Sequence, residues 1–213
     1  MRSIYLFSIS PHPEAIHINP LDITFFKLQI DFSSYDYLIL TSKQAVKALQ
    51  QYDESLYKKI KALCISQATA KAYEVLGGEV LEVGSGYGDD LANTIIKYPK
   101  QTKWLYLRAK EVASDFATAS NKLGYSVDEM VVYASRCSVK IQEIDVAEDA
   151  ILIFTSPSSV QCFLRSHTIK STQQIIVIGK STAKALPEGV SAVVSDERSI
   201  ESCMKIAFQR KIN

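Results

Sequence analysis

Two short phrases are written twice in this chain at one spacing, and that repetition limits the fold more than any other feature. Leu40-Thr41-Ser42-Lys43-Gln44-Ala45-Val46 returns as Phe154-Thr155-Ser156-Pro157-Ser158-Ser159-Val160. Ile65-Ser66-Gln67-Ala68-Thr69-Ala70-Lys71-Ala72 returns as Ile178-Gly179-Lys180-Ser181-Thr182-Ala183-Lys184-Ala185. The shared offset of roughly 113 residues implies a duplicated unit about the size of one small domain. In each phrase an apolar run ends in small hydroxyl residues and a helical pattern follows. That places backbone N–H groups at a strand-to-helix turn, where anions are held.

Strand-length apolar runs and helical patterns alternate around these phrases. Strands are predicted over 37–40, 62–65, 80–83, 103–107 and 126–133, with helices over 42–51, 68–76, 89–97 and 112–123 between them. The second copy places strands at 150–154, 174–178 and 191–194, and helices at 158–164, 181–186 and 199–210. Before this series, Ile4-Tyr5-Leu6-Phe7 and Ala15-Ile16-His17-Ile18 read as strands, and Pro11 and Pro13 forbid a proper helix between them. The alternation predicts an α/β fold of two similar parallel-sheet lobes, flavodoxin-like, with a ligand crevice beyond the carboxyl ends of the strands. The opening segment has too few elements for a domain and the tail lacks strands that the middle possesses. Residues 1–19 and 138–213 are therefore expected to form one discontinuous domain and 25–131 an inserted one, with crossings at about 20–24 and 132–137.

Composition narrows the function classes. With 213 residues, 47% of them hydrophobic and 22% charged, the chain can bury a core. A net charge of +1 gives no broad basic field for nucleic acid. No apolar run approaches the length of a membrane span, so a soluble, cytoplasmic, unexported protein with no membrane partner is expected. Cys64, Cys137, Cys162 and Cys203 are widely spread without a Cys-x-x-Cys pair, which suggests reduced thiols and neither a zinc knuckle nor a disulfide framework. His12, His17 and His167 lack metal spacing, and no Ser-His-Asp or Cys-His order is visible.

The polar signal sits at four turns: Thr41-Ser42, Ser66-Gln67-Ala68-Thr69, Thr155-Ser156-Pro157-Ser158, and Gly179-Lys180-Ser181-Thr182. Each hydroxyl can be a plain helix cap worth about 1 kcal/mol. Pairs of small residues at all four turns also keep the backbone approachable, as anion binding needs. Leu81-Glu82-Val83-Gly84-Ser85-Gly86-Tyr87-Gly88 imitates the nucleotide loop of S-adenosylmethionine-dependent methyltransferases. The next strand, however, runs into Arg108 where that reading wants an acid, so a plain loop is favoured. Arg108 lies near a strand end, where it either pairs with ligand carboxylates or is solvated. Tyr133 is placed either to donate a proton or to pack as a hinge aromatic.

The ordered set TSKQAV, ISQATAKA, YLRAK, VDEMVVYAS, IFTSPSSV and VIGKSTAKAL resembles uroporphyrinogen-III synthase, over about residues 15–207. The resemblance implies two α/β lobes joined by a two-stranded linker, acting on hydroxymethylbilane, a linear tetrapyrrole with eight carboxylates, without cofactor or metal; a monomer is expected. It places Tyr133 at the family's tyrosine, the candidate to help expel the terminal hydroxyl as water. Thr69 and Thr182 match the family's threonines at the turns. Ser42, Ser66, Ala68, Arg108, Ser156, Ser158, Gly179 and Ser181 complete the expected substrate-binding set. Two departures stand out: the family's Thr-Arg-Pro phrase is Phe7-Ser8-Ile9 here, with the first helix missing, and Ser66 replaces the usual glycine. The rival reading from another class is a two-lobed anion-binding or sensor protein without catalysis.

Overall fold

In the computed structural model, which describes residues 2–112 and 114–211, the chain divides into two units. Unit 1 takes the segment up to Asp22 together with that from Arg136 onward, and unit 2 is Ile23–Ser135. Unit 1 opens with β1 (Ile4–Phe7) and β2 (Ile16–Ile18), and β3 (Leu21–Phe25) carries the chain into unit 2. There follow β4 (Tyr37–Leu40), α1 (Lys43–Leu49), α2 (Glu54–Tyr57), β5 (Lys61–Cys64), α3 (Gln67–Val75) and β6 (Val80–Val83). Then come α4 (Gly88–Ile95), β7 (Lys103–Ala109), α5 (Phe116–Lys122) and β8 (Ser126–Cys137). Unit 1 is completed by β9 (Ile151–Phe154), α6 (Pro157–Leu164), β10 (Gln174–Val177), α7 (Lys180–Ala183), β11 (Val193–Val194) and α8 (Ile200–Lys211).

Two sheets with flanking helices result. The five-stranded sheet of unit 1 runs β2-β1-β9-β10-β11, which in chain order is the flavodoxin arrangement 2-1-3-4-5. The other sheet runs β6-β5-β4-β7-β8-β3, so its first five strands follow 3-2-1-4-5. The layouts coincide when β4 is laid on β9 and β5 on β10. The duplicated phrases thus occupy the same places, while the chain enters the two layouts at different strands. The boundary between units falls inside β3 and β8, adjacent strands at the end of the six-stranded sheet, which makes the connection two-stranded.

The strands read as continuous apolar runs because helices cover both sheet faces. All four residues of β1 and of β9 are buried. In unit 2, Leu38, Leu40, Leu105 and Leu107 pack with residues of α1 and α3, whereas Ile39, Leu63, Trp104 and Tyr106 pack with those of α4 and α5. In unit 1, Ile4, Leu6, Ile151 and Ile153 meet Cys203, Met204 and Ala207 of α8. Phe7, Phe154 and Phe163 form an aromatic cluster, with ring centroids 4.9 to 5.4 Å apart.

Several details depart from the sequence reading. The helix expected from Val112 begins at Phe116, and Ala113 lies outside the described residues. α7 stops at Ala183 rather than Leu186, just ahead of Pro187, which cannot continue a helix. The short α2 was not anticipated; Asp53 caps it by accepting the Ser55 N–H at 2.9 Å. β1 and β2 are parallel neighbours joined by residues 8–15 without a helix, where a crossover of about a dozen residues is normal. The short connection is tied by the Ser8 N–H to the Ile18 carbonyl at 3.1 Å and by His17 Nε2 to the Ser8 carbonyl at 2.8 Å. Among the described residues, no helix is long and apolar enough to cross a membrane.

The cysteine reading is corrected. Cys137 at the end of β8 and Cys162 in α6 form a disulfide, their Cα atoms 5.2 Å apart. The turn at Val139–Glu143 folds β8's end back onto α6, a proximity that a separation of 25 residues does not disclose. Cys64 and Cys203 are free and buried, and burial pushes the Cys64 thiol up to about 12. Thiol titration of denatured, unreduced protein is therefore expected to find two reactive thiols of the four, and four after reduction. In the unit 2 core the buried Tyr73 hydroxyl lies 3.0 Å from the Tyr57 carbonyl and 2.8 Å from that of Ile60. Tyr73→Phe should lower the free energy of unfolding by about 1–2 kcal/mol, read from the denaturant midpoint.

Candidate functional site

In a parallel sheet all strands deliver the chain to one edge, so the turns after β4 and β5 are neighbours, as are those after β9 and β10. The residue entering each helix is fully extended: Ser42 at φ −158°, ψ 147°; Ser66 at −154°, 160°; Ser156 at −160°, 158°; Gly179 at −179°, 171°. Three of these close caps. Ser42 accepts the Gln44 N–H at 3.1 Å, Ser66 accepts that of Thr69 at 3.4 Å, and Ser156 accepts that of Ser159 at 3.0 Å in a reciprocal capping box.

The fourth turn differs in a way that isolates one hydroxyl. Ser66 Oγ stands 3.3 Å from Thr69 Oγ1. At the equivalent place Gly179 has no side chain, and Thr182 Oγ1 is buried without a hydrogen-bond partner. A Cβ on Gly179 would first meet Arg198 Nε, at 3.5 Å. Buried hydroxyls are normally satisfied, so an orphan at a repeated turn stands out.

Tyr133 is brought to Ser42 by an irregularity. β7 and β8 run in register from Lys103↔Ser126 to Arg108↔Val131, then shift so that Ala109 faces Tyr133. The extra residue breaks the alternation of faces, so the consecutive Val132 and Tyr133 both join the core on the α1 and α3 side. There Tyr133 is buried with the Ser42 side chain beside its phenol, and its ring lies 6.4 Å from that of Phe25. Burial raises its pKa above the ordinary 10.0, with the neighbouring Ser42 side chain acting in the opposite sense. β8 continues past Tyr133 to Cys137 rather than ending there.

The remaining candidates separate. Arg108 projects from the sheet face that carries Tyr106, opposite Tyr133, and its Nε lies 2.7 Å from Glu129 Oε2. Its Nη1 donates to the carbonyls of Ala109 and Lys110. This cation is already matched within its own sheet. Ala68 is exposed on the outer side of α3, Ser158 is half-buried in the first turn of α6, and Ser181 is exposed. One residue beside the Ser42 turn escaped the sequence reading: the buried Tyr106, whose hydroxyl lies 3.1 Å from Thr41 Oγ1. Only the polar tip on an otherwise apolar strand hinted at Tyr106.

The glycine loop has structural reasons. Gly86 has φ +101°, and a Cβ on Gly88 would strike the Ser114 side chain. Glu82, the acid of the methyltransferase-like pattern, accepts from Thr94 Oγ1 at 3.1 Å and pairs with Lys97 at 3.4 Å.

The chain is similar to known proteins along most of its length. The family model described as uroporphyrinogen-III synthase HemD matches residues 14–205. The solved structure of uroporphyrinogen-III synthetase from Helicobacter pylori aligns with TM-score 0.82 and 25% identity, over 99% of this chain and 100% of that one. A mutant uroporphyrinogen III synthase from the extremely thermophilic bacterium Thermus thermophilus shares the fold at TM-score 0.62 and 16% identity, over 99% of each chain. No curated protein sequence matches the chain. The duplicated turns, the sheet layouts and a family match reaching from Glu14 to Lys205 agree, and the chain belongs to the uroporphyrinogen-III synthase family.

Proposed function

We propose that the protein converts hydroxymethylbilane to uroporphyrinogen III with inversion of the terminal pyrrole ring, without cofactor or metal, and that Tyr133 is its general acid. The family makes it a lyase of tetrapyrrole biosynthesis. The observation that carries the finer reading is the bulge in β8 that turns the buried Tyr133 to the α1 side, beside Ser42. Ser42 accepts the Gln44 N–H, and its own proton is free to point at the phenol oxygen, which leaves the phenol O–H for another acceptor.

In the proposed reaction that O–H protonates the terminal hydroxyl of the bilane. The C–O bond breaks, water leaves, and the pyrrole nitrogen lone pair supplies the electrons, giving an azafulvenium cation whose N–H proton returns to the Tyr133 phenolate and leaves the neutral azafulvene. The last pyrrole then attacks through its substituted carbon to form a spiro intermediate. Free bilane should close to the symmetrical isomer, so the protein must favour the spiro transition state by differential binding, and orientation carries most of the burden. The four turns hold acetate and propionate arms with backbone amides, and Thr69 and Thr182 face those arms. The orphaned Thr182 hydroxyl supports this assignment, since a carboxylate oxygen would satisfy it.

Incubating pure protein with hydroxymethylbilane and resolving the product isomers tests the activity, because a binding protein leaves the isomer ratio of the blank unchanged. Tyr133→Phe should lower kcat about 10²-fold while product identity is kept. An undiminished rate removes Tyr133 from the mechanism. Because burial holds the phenol protonated beyond its ordinary range, ionisation of Tyr133 should not reduce kcat below pH 10.0; the kcat profile of the wild type against Tyr133→Phe reads this. Thr182→Val replaces an unpartnered hydroxyl by a methyl, so the melting temperature should hold while KM rises about tenfold. An unchanged KM counts against the anion-holding turns.

A further inference from the structure

α1 and α3 lie side by side on one face of the unit 2 sheet, and a cavity of about 450 Å³ runs between them on the outer surface. It is lined by residues that recur every three or four positions, Lys43, Val46 and Lys47 on α1 and Ala68, Lys71, Ala72 and Val75 on α3. Two helical stripes with one spacing make a groove parallel to the helix axes, the shape that a third helix fills. Its floor is apolar, and Val75 is 81% exposed. Its rim is basic. Among the described residues, Lys43, Lys47 and Lys71 are in no ion pair, and no acidic side chain lines the groove, for Glu74 of α3 lies outside it.

The duplicated scaffold does not explain this pattern. The Ser42 cap recurs at Ser156, and Thr69 and Thr182 are both buried, yet the places equivalent to Lys43, Lys47 and Val75 hold Pro157, Gln161 and Glu188. α7, the counterpart of α3, has four residues against nine, too few to build the second wall. Lys43, Lys47 and the exposed Val75 are thus specific to this copy and unneeded by its fold, whereas Lys71 recurs as Lys184. We infer that the α1–α3 groove docks an acidic amphipathic helix of a partner protein, with apolar residues in the floor and carboxylates against the three lysines. Helix-in-groove recognition reads such anchors at three- and four-residue spacing, and the unpaired rim charge steers the encounter.

The probe is a fluorescein-labelled synthetic peptide of about five turns, with leucines at three- and four-residue spacing flanked by glutamates. Controls are the same peptide with lysines for glutamates, and dodecanoate as a small amphiphilic anion. Anisotropy titration of the full chain should show saturable binding of the acidic peptide that weakens with added salt. The double variant Lys47→Glu/Lys71→Glu should lose about tenfold or more in affinity, and Val75→Ser should weaken binding without altering its salt dependence. Both variants should retain wild-type turnover, which separates a lost groove from a lost fold. Equal binding by the charge-reversed variant, or equal binding of the basic peptide, overturns the inference. So does binding of dodecanoate with none of the peptide, which would make the groove a small-molecule site. Self-association of the chain that Lys47→Glu/Lys71→Glu abolishes, again without peptide binding, would assign the face to a second copy and equally overturns it.

Discussion

A parallel sheet imposes one direction on everything that leaves it, and the candidate chemistry of this protein depends on that constraint. Strands β4 and β5, and again β9 and β10, must release the chain at the same edge, and each release is made by an extended residue that starts a helix. The first amides of a helix have no carbonyl partner within it, so such an edge accumulates donors whether or not a ligand uses them. Stability and binding therefore compete for the same groups. Ser42, Ser66 and Ser156 resolve the competition by capping with the side chain, and Gly179 resolves it by offering no side chain.

The single residue inserted in β8 opposite Arg108 and Ala109 changes what that edge can do. With strict alternation Tyr133 would lie on the face of Tyr106 and Arg108, away from α1. The bulge rotates it to the α1 side, where Ser42 meets it. Arg108, before the bulge, stays on the other face with Glu129. A cation and a phenol at the ends of adjoining strands are thus divided by one residue of register.

The extent of legibility follows from the range of the interactions involved. Element types came from local signals: buried runs such as Ile151–Phe154, the serines that cap, and the glycines after α3 and α5. The duplication exposed the equivalence of the four turns because it compares distant segments directly. What stayed hidden depends on partners remote in the chain. No local pattern marks the bulge, since Val131, Val132 and Tyr133 alternate as plausibly with either face inward. No spacing rule pairs Cys137 with Cys162, and the ion pair of Arg108 with Glu129 needs the β7–β8 register. The α1–α3 groove was invisible for another reason: it is a property of two surfaces, each that of an ordinary helix alone.

The discontinuity of unit 1 has a temporal side. A nascent chain emerges from its N-terminus, and β1, with Ile4, Tyr5, Leu6 and Phe7 all buried in the finished protein, pairs with β9 as well as β2. On the ribosome that strand must wait, greasy and half-partnered, until Ile151–Phe154 has been translated, whereas every strand from β4 to β8 finds its neighbours inside one continuous stretch. Once unit 2 has condensed, β3 beside β8 draws the two ends of the interruption together, so the inserted unit acts as a splint for the interrupted one.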